Sequence, residues 1–269
     1  MKKLTKKLST IYDEVEDFYD GFAVVRRKWK WGLVNKKGEE VVTCQYDNVV
    51  TGPFFDGLAK VELDGKWGFV NVQGEEVIPC KYEEVGFFFE GHAEVKLDGS
   101  WGFVDEHGEE VIPCKYDYTA RFSEGLAPVE LDRKWGFVNG RGEEVIPCKY
   151  EEVRLFCKGH AWVKLDGKWG FVNEQGEEVI LCKYEEMSER YVGVAVKLGG
   201  KWGLVNGQCE EVIPCKYEEM DHFYYGPAKV KLDGKWGFVN KQGEEVVPCK
   251  YKGWFVSVKA LQKVNLGGK

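Results

Sequence analysis

A tryptophan–glycine pair recurs along this chain at Trp31, Trp67, Trp101, Trp135, Trp169, Trp202 and Trp236, with spacings of 36, 34, 34, 34, 33 and 34 residues. A fixed period of that size marks a repeat architecture, in which one small unit cannot bury its apolar side alone and stacked neighbours supply the core. It constrains the fold more than length does. The 269 residues would otherwise allow one or two domains, whereas a single array fills almost all of them.

Each unit carries strand chemistry. In the third copy Ala93, Val95 and Leu97 alternate with Glu94 and Lys96, the period of two that marks a half-buried strand. Asp98-Gly99 then signals a tight hairpin, because its turn needs two positive φ angles. Trp101 and Phe103 share one face of the returning strand and Val104 takes the other, so this strand is predicted to be buried on both sides. Asp105 to Gly108 forms a turn closed by glycine. Val111-Ile112 opens a third strand, which Pro113 marks as an edge or a bulge. A short fourth strand is expected after Tyr116. The glycine after each Trp implies crowding, by a neighbouring backbone or a neighbouring Trp ring, and each Trp is expected to span from one unit to the next. No apolar residues recur at helical spacing over 11 residues.

Taken in order, residues 1–11 read as a polar lead-in, residues 12–258 as a single repeat domain of seven units, and residues 259–269 as a tail. Tyr12 matches the tyrosine that ends each unit, so the array begins mid-unit and closes at the same point at Tyr251. That phase suits a ring sealed by pairing the chain's two ends. The expectation is therefore an all-β fold of hairpin repeats in a closed propeller-like ring, preferred over an open β-solenoid. Unit six departs most: Gly199-Gly200 replaces Asp-Gly and Cys209 replaces the turn glycine. Cysteine in a left-handed conformation is strained, which makes this unit the weakest.

Composition narrows the partners. A net charge of -7 disfavours nucleic acid and anionic membranes, and no apolar run approaches the roughly 18 residues that span a bilayer. The first residues hold lysines but no apolar signal region, which points to the cytoplasm. Seven of the nine cysteines occupy one repeat position, from Cys44 to Cys249. One per unit, without Cys-x-x-Cys spacing, is neither a disulfide framework nor a zinc site. They read as small buried hydrophobes in a reducing compartment.

Every unit carries a Glu pair, such as Glu75-Glu76 and Glu109-Glu110. Neighbours on a strand point to opposite faces, so a pair does not converge as glycosidase carboxylates must. The pairs read as a solvated face, with lysines such as Lys81 bridging across strands. The four histidines form no ligand pattern, and no nucleophile elbow, phosphate loop or dinucleotide fingerprint occurs. No catalytic, cofactor or metal site is expected.

The stretch Gly-Lys-Trp-Gly-Phe-Val-Asn-x-x-Gly-Glu-Glu-Val-Ile-Pro-Cys-Lys-Tyr resembles the WG-repeat family of bacterial proteins, from about Tyr12 to Tyr251. The resemblance implies a β-repeat module, often joined to other domains, with no shared catalytic activity to transfer. Thr43 and Gln45 in unit one and Cys209 in unit six depart from its pattern.

Function in a repeat protein is sought where the copies differ, here between the tyrosine and the next strand. In those segments Phe55, Phe89, Phe122 and Phe156 read as core. The surplus side chains Phe87, Phe88, Tyr118, Arg190, Tyr191, Tyr224 and Tyr225, with Trp162, are the candidates for a partner-binding rim. The expected function is a non-catalytic protein-interaction scaffold, monomeric, with a protein partner. A carbohydrate or cell-wall binding module is the alternative, and it requires exposed Trp rings.

Overall fold

The computed structural model describes residues 2–50, 57–190, 193–223 and 226–252, without the side chains of residues 2, 3, 189 and 190. The chain divides into two compact units, Met1–Cys148 and Lys149–Lys269. Among the described residues lie one helix, α1 (Lys2–Leu8), and seven four-stranded antiparallel sheets, each built from strands consecutive in sequence.

The third sheet shows how the sequence makes them. Its strands are Glu84–Phe89, His92–Leu97, Ser100–Asp105 and Glu110–Tyr116. Asp98 and Gly99 take φ angles of 50° and 80°, so Leu97 pairs with Ser100 and the hairpin register follows. Phe103 and Val104 are both buried, as expected of a strand covered on two sides. At the next turn the Asp105 side chain accepts the N–H groups of His107 and Glu109, and Gly108 adopts a φ of 84°.

The last strand of six sheets carries a bulge, announced by a proline except in the first and fifth, which have Thr43 and Leu181 in its place. In the second sheet Trp67 pairs with Tyr82 and Phe69 with Ile78, so Gly68 alone faces Pro79, Cys80 and Lys81. The chain between crosses directly over Gly68. A Cβ there would stand 2.4 Å from the Ile78 carbonyl oxygen. The same clash, 2.4–2.5 Å, recurs at Gly32, Gly102, Gly136, Gly170, Gly203 and Gly237. The crowding is thus intrasheet, from backbone, and the Trp rings take no part in it.

The short strand after each tyrosine belongs to the following sheet: Asn48 pairs with Glu62 and Tyr118 with Glu130. The structural unit therefore runs from just after one tyrosine to the next, and the array is in phase with its own sheets. This corrects the closed propeller-like ring. The first sheet, Glu14–Val15, Phe22–Arg27, Lys30–Asn35 and Glu40–Tyr46, is completed by its own four strands, and no described sheet joins strands from the two ends of the chain. Nor is residues 1–11 a plain polar lead-in. Leu8 of α1 is fully buried with Tyr12, Ala23, Val25 and Val34, and Leu4 packs against them.

Apolar cores lie between consecutive sheets. In the first unit Leu33, Val42 and Tyr46 meet Val49, Ala59, Val61 and Val70. Phe69, Ile78 and Tyr82 meet Val85, Phe88, Ala93 and Val95. In the second unit Leu204, Ile213 and Tyr217 meet Met220, Phe223, Ala228 and Val230. The aromatic that locks each joint is the tyrosine: Tyr46, Tyr82, Tyr116, Tyr184 and Tyr217 are 0–1% exposed. The repeat tryptophans are half-buried, and Trp31, Trp67 and Trp202 pack against the cores between their own sheet and the next, as expected of side chains that span the units.

Gly68→Ala should therefore cost about 3 kcal/mol or more, because backbone must move to admit the methyl group. Gly65→Ala, with open space around its Cβ and only a positive φ to pay for, should cost about 1 kcal/mol. Urea-unfolding midpoints of the two variants test the contrast.

Candidate functional site

The Glu pair divides its labour. The first Glu closes the turn: Glu75 accepts from Asn71 Nδ2 at 2.8 Å, while Asn71 Oδ1 accepts the N–H groups of Gln73 and Glu75. The second serves the bulge and the joint. Glu40 accepts the Cys44 N–H at 3.1 Å and the Tyr12 hydroxyl at 3.0 Å. Glu110 takes both the Tyr82 hydroxyl and the Lys81 ammonium at 3.2 Å, across the joint between the second and third sheets. The lysine thus pairs across strands with a member of a Glu pair, as the sequence suggested, and the strand it reaches belongs to the next sheet. At the joint of the fifth and sixth sheets Lys183 and Tyr184 both donate to Glu211. Those two hydrogen bonds hold the Glu211 carboxyl below its ordinary value. Burial, and next the bond to Glu211, push the Tyr184 hydroxyl far up.

The repeat cysteines are half-buried, and their thiols donate weakly to a valine carbonyl, as Cys114 does to Val95 at 3.6 Å. Burial pushes Cys44, Cys80, Cys114 and Cys148 up to about 11. Thiols of that kind are inert. Among the described residues no group of three or more His, Cys, Asp or Glu could hold a metal ion, and no helix is long and apolar enough to cross a membrane.

The rim candidates separate on burial. Phe87 and Tyr118 are 41% and 59% exposed. Phe88 is core: it is buried, with its ring edge-on to Phe69 at 5.0 Å. It holds the place that Phe122, Phe156 and Phe223 hold, three residues before the start of the next strand's turn glycine or its counterpart. Phe89, assigned to the core from sequence, is half-buried under the Arg121 guanidinium at 4.6 Å. Trp162 is half-buried on His160–Leu165, edge-on to Trp169 at 6.4 Å, with Arg154 over Trp169 at 5.9 Å. Arg190 ends the strand Glu186–Arg190 and pairs with Gly193, but its side chain lies outside the described residues. Tyr191, Tyr224 and Tyr225 lie outside them entirely.

Within the first unit exposed Phe87 shares a lysine with a repeat tryptophan, and exposed Tyr118 stands beside one. Lys60 sits 4.3 Å from the Trp67 ring centre and 5.9 Å from that of Phe87, and donates to the Val85 carbonyl at 2.7 Å. Burial lowers its proton affinity below that of an ordinary lysine. One sheet on, Trp101 stands 6.4 Å from Tyr118 with Lys96 over its ring at 5.4 Å, and Lys96 pairs with Glu84 at 2.7 Å. Between these stations lies Glu94. Burial raises its pKa, Thr119 donates to it at 3.5 Å, and a Cβ on Gly86 would stand 2.7 Å from its carboxylate.

Loop comparison missed Lys60 and Glu94. They occupy one column inside an otherwise constant strand: Val24, Lys60, Glu94, Pro128, Trp162, Ala195 and Lys229 all pair with the Phe or Leu two residues after the repeat Trp. Variability in that column was the available signal. Trp29 was also missed. It is 81% exposed at a hairpin tip with a φ of 68°, and Arg26 lies 5.4 Å from its ring and 5.2 Å from Trp31.

Comparison with known families gives a match to the WG containing repeat over residues 8–28, 31–67, 67–101, 101–135, 135–169, 169–191, 202–236 and 236–253. No curated protein matches. Among solved structures, a eukaryotic initiation factor aligns with 10% identity and a TM-score of 0.44, over 87% of this chain and 74% of its own. Hsv2p of Kluyveromyces lactis aligns with 9% identity and a TM-score of 0.37, over 84% of this chain and 92% of its own. Likeness at that level carries no argument about function.

Two outcomes follow from the joints and thiols. The Glu211 carboxyl, held below 4.5 when folded, binds its proton more readily in the unfolded chain. The stability it lends is present above pH 4.5 and is lost as pH falls through the folded value. Glu211→Gln should therefore flatten the acid limb of the unfolding midpoint measured against pH. Second, Ellman's reagent at neutral pH should modify Cys157, the exposed cysteine, quickly. The remaining eight should react only slowly until denaturant is added.

Proposed function

The chain belongs to the WG-repeat family, and from that premise we propose that it is a non-catalytic scaffold that binds a protein partner. The observation that carries this reading is the clustering of exposed aromatics with lysines and repeat tryptophans: Lys60 lies over the rings of both Trp67 and exposed Phe87, and exposed Tyr118 stands beside Trp101, which Lys96 covers. Aromatic side chains held rigid and flanked by cations are the composition of binding hot spots. The half-buried Glu94 beside them adds an acceptor for a donor on the partner. The nine free thiols suit a reducing compartment, and we place the protein in the cytoplasm.

The carbohydrate reading asks for open Trp faces. Trp31, Trp67, Trp101, Trp169, Trp202 and Trp236 are half-buried, each with an arginine or lysine over its ring. The rim reading therefore takes precedence.

Partners captured by the full chain from a soluble extract should be lost from a Phe87→Ala/Tyr118→Ala double variant. Its melting temperature should stay close to that of the parent, since both side chains are exposed. Retention of every partner by the folded variant would overturn the assignment.

A further inference from the structure

Across the first three strands of a sheet, one row of side chains shares a face. In the third sheet the row reads Glu84, Lys96 and Trp101, each directly opposite the next. Directly opposed residues on neighbouring antiparallel strands interact through their side chains. Lys96 accordingly pairs with Glu84 at 2.7 Å and lies 5.4 Å from the centre of the Trp101 ring. Four other sheets repeat the arrangement. Arg26, Lys164, Lys197 and Lys231 each pair with a glutamate of the first strand at 2.5–2.8 Å, and each lies 5.2–5.5 Å from the repeat tryptophan opposite. A cation held between a carboxylate and an indole ring is thus part of the frame.

Two sheets break the row, and they break it differently. In the second, Glu62 stands opposite Trp67 in the cation's place, with Asn48 beyond it. Lys60, two residues earlier on the same strand, covers the ring instead at 4.3 Å. In the fourth sheet Glu130 stands opposite Trp135, with Tyr118 beyond it. There the residue two places earlier is Pro128, which has no charge to lend. Lys134, next to Trp135, points to the other face by alternation, and Arg133 belongs to the hairpin tip. Trp135 is half-buried, and among the described residues no lysine or arginine lies over its ring. Glu130 is half-buried as well, and among the described residues its carboxylate has no ion-pair or hydrogen-bond partner. Tyr118 is 59% exposed. The fourth sheet therefore keeps the indole, sets a carboxylate opposite it and leaves the cation out.

We propose that this gap is a recognition site for a basic side chain of the protein partner, a lysine by the precedent of the neighbouring sheets. The proposal rests on the partner-binding reading above and supplies the partner's chemistry. The incoming ammonium does in the fourth sheet what Lys96 does in the third: it lies over Trp135 and pairs with a carboxylate, here that of Glu130. Tyr118 borders the site on its outer side. The carboxylate and the indole both favour a cation over a neutral or acidic side chain. The chain's net charge of -7 draws a basic partner toward it.

Isothermal titration of the full chain with acetyl-pentalysine amide at low ionic strength tests the site apart from any captured partner. Glu130→Gln should weaken binding about fivefold. Glu130→Lys places in the row the residue that four other sheets already carry there, so the fold is retained. It should weaken binding by about tenfold or more, because the site then holds its own cation. Glu106→Gln removes one charge from an exposed turn and should leave the affinity within about twofold of the parent. Equal weakening by Glu106→Gln and Glu130→Gln would reduce the effect to net charge and overturn the proposal. A folded Glu130→Lys variant that binds the peptide as the parent does would overturn it too. The two readings fail separately. Indifference of the peptide to Glu130, with partners still lost from the Phe87→Ala/Tyr118→Ala variant, removes the cation site alone; the opposite pair of results removes the rim alone.

Discussion

The contact between the glycine of each Trp-Gly pair and the bulged strand beside it governs the rest of the structure. Without a Cβ at Gly68, the chain from Ile78 to Cys80 can cross over the neighbouring strand. That crossing throws Pro79 outward and turns the Cys80 N–H toward Glu76, which accepts it at 3.0 Å. It also resets the register so that Tyr82 stands opposite Trp67 and is buried in the next sheet's core. Lys81 then reaches Glu110. One missing methyl group therefore links the edge proline, the capped bulge, the tyrosine lock and the ion pair of the joint. The ion pair is exposed and adds little by itself; burial of the tyrosine and its apolar neighbours supplies the adhesion.

Local chemistry was legible in the sequence because it is local. Asp98-Gly99 dictates its hairpin, Asp105 to Gly108 its turn, and alternation its buried faces, and each holds in the structure. What the sequence hid was phase and partner. Tyr12 looks like the end of a broken unit, and only strand pairing shows that the residues after each tyrosine begin the next sheet. A ring needing its two ends to meet was the consequence of cutting the repeat in the wrong place. Phe88 and Phe89 exchanged roles for a similar reason: adjacent residues on a strand face opposite ways, and an extra phenylalanine left the frame ambiguous by one. The tryptophan drew attention as the largest constant residue, yet the tyrosine is the one enclosed, because the bulge delivers it to the joint.

The candidate site was half legible for the same reason. Exposed aromatics in variable segments are a fair guide, and Phe87 and Tyr118 stand where a rim would use them. Lys60 and Glu94 escaped because they sit inside the constant strand, between alanine and valine positions that never change character. A frame held together by tyrosine, glycine and turn side chains leaves that column unconstrained. Lysine, glutamate, proline and tryptophan can follow one another in it without disturbing the sheets.

Helix α1 shows what a joint needs. Gly74 and Gly108 press against the backbone of a preceding sheet. At Gly38, the corresponding turn of the first sheet, the nearest atoms to a Cβ are Leu4 Cδ1 at 3.1 Å and Leu8 Cδ2 at 3.6 Å. Two leucines one helical turn apart thus occupy the place of a whole sheet, and Tyr12 behind them makes the usual bond to Glu40. The joint accepts any apolar surface of the right depth that brings a tyrosine with it. That tolerance explains how a strand-built array is covered by a helix of seven residues. It also explains how Cys209 takes the place of the turn glycine in the sixth sheet: at a φ of 60° it is buried in one cluster with Ile180 and Tyr184 of the sheet before, so the requirement at that turn is for apolar contact.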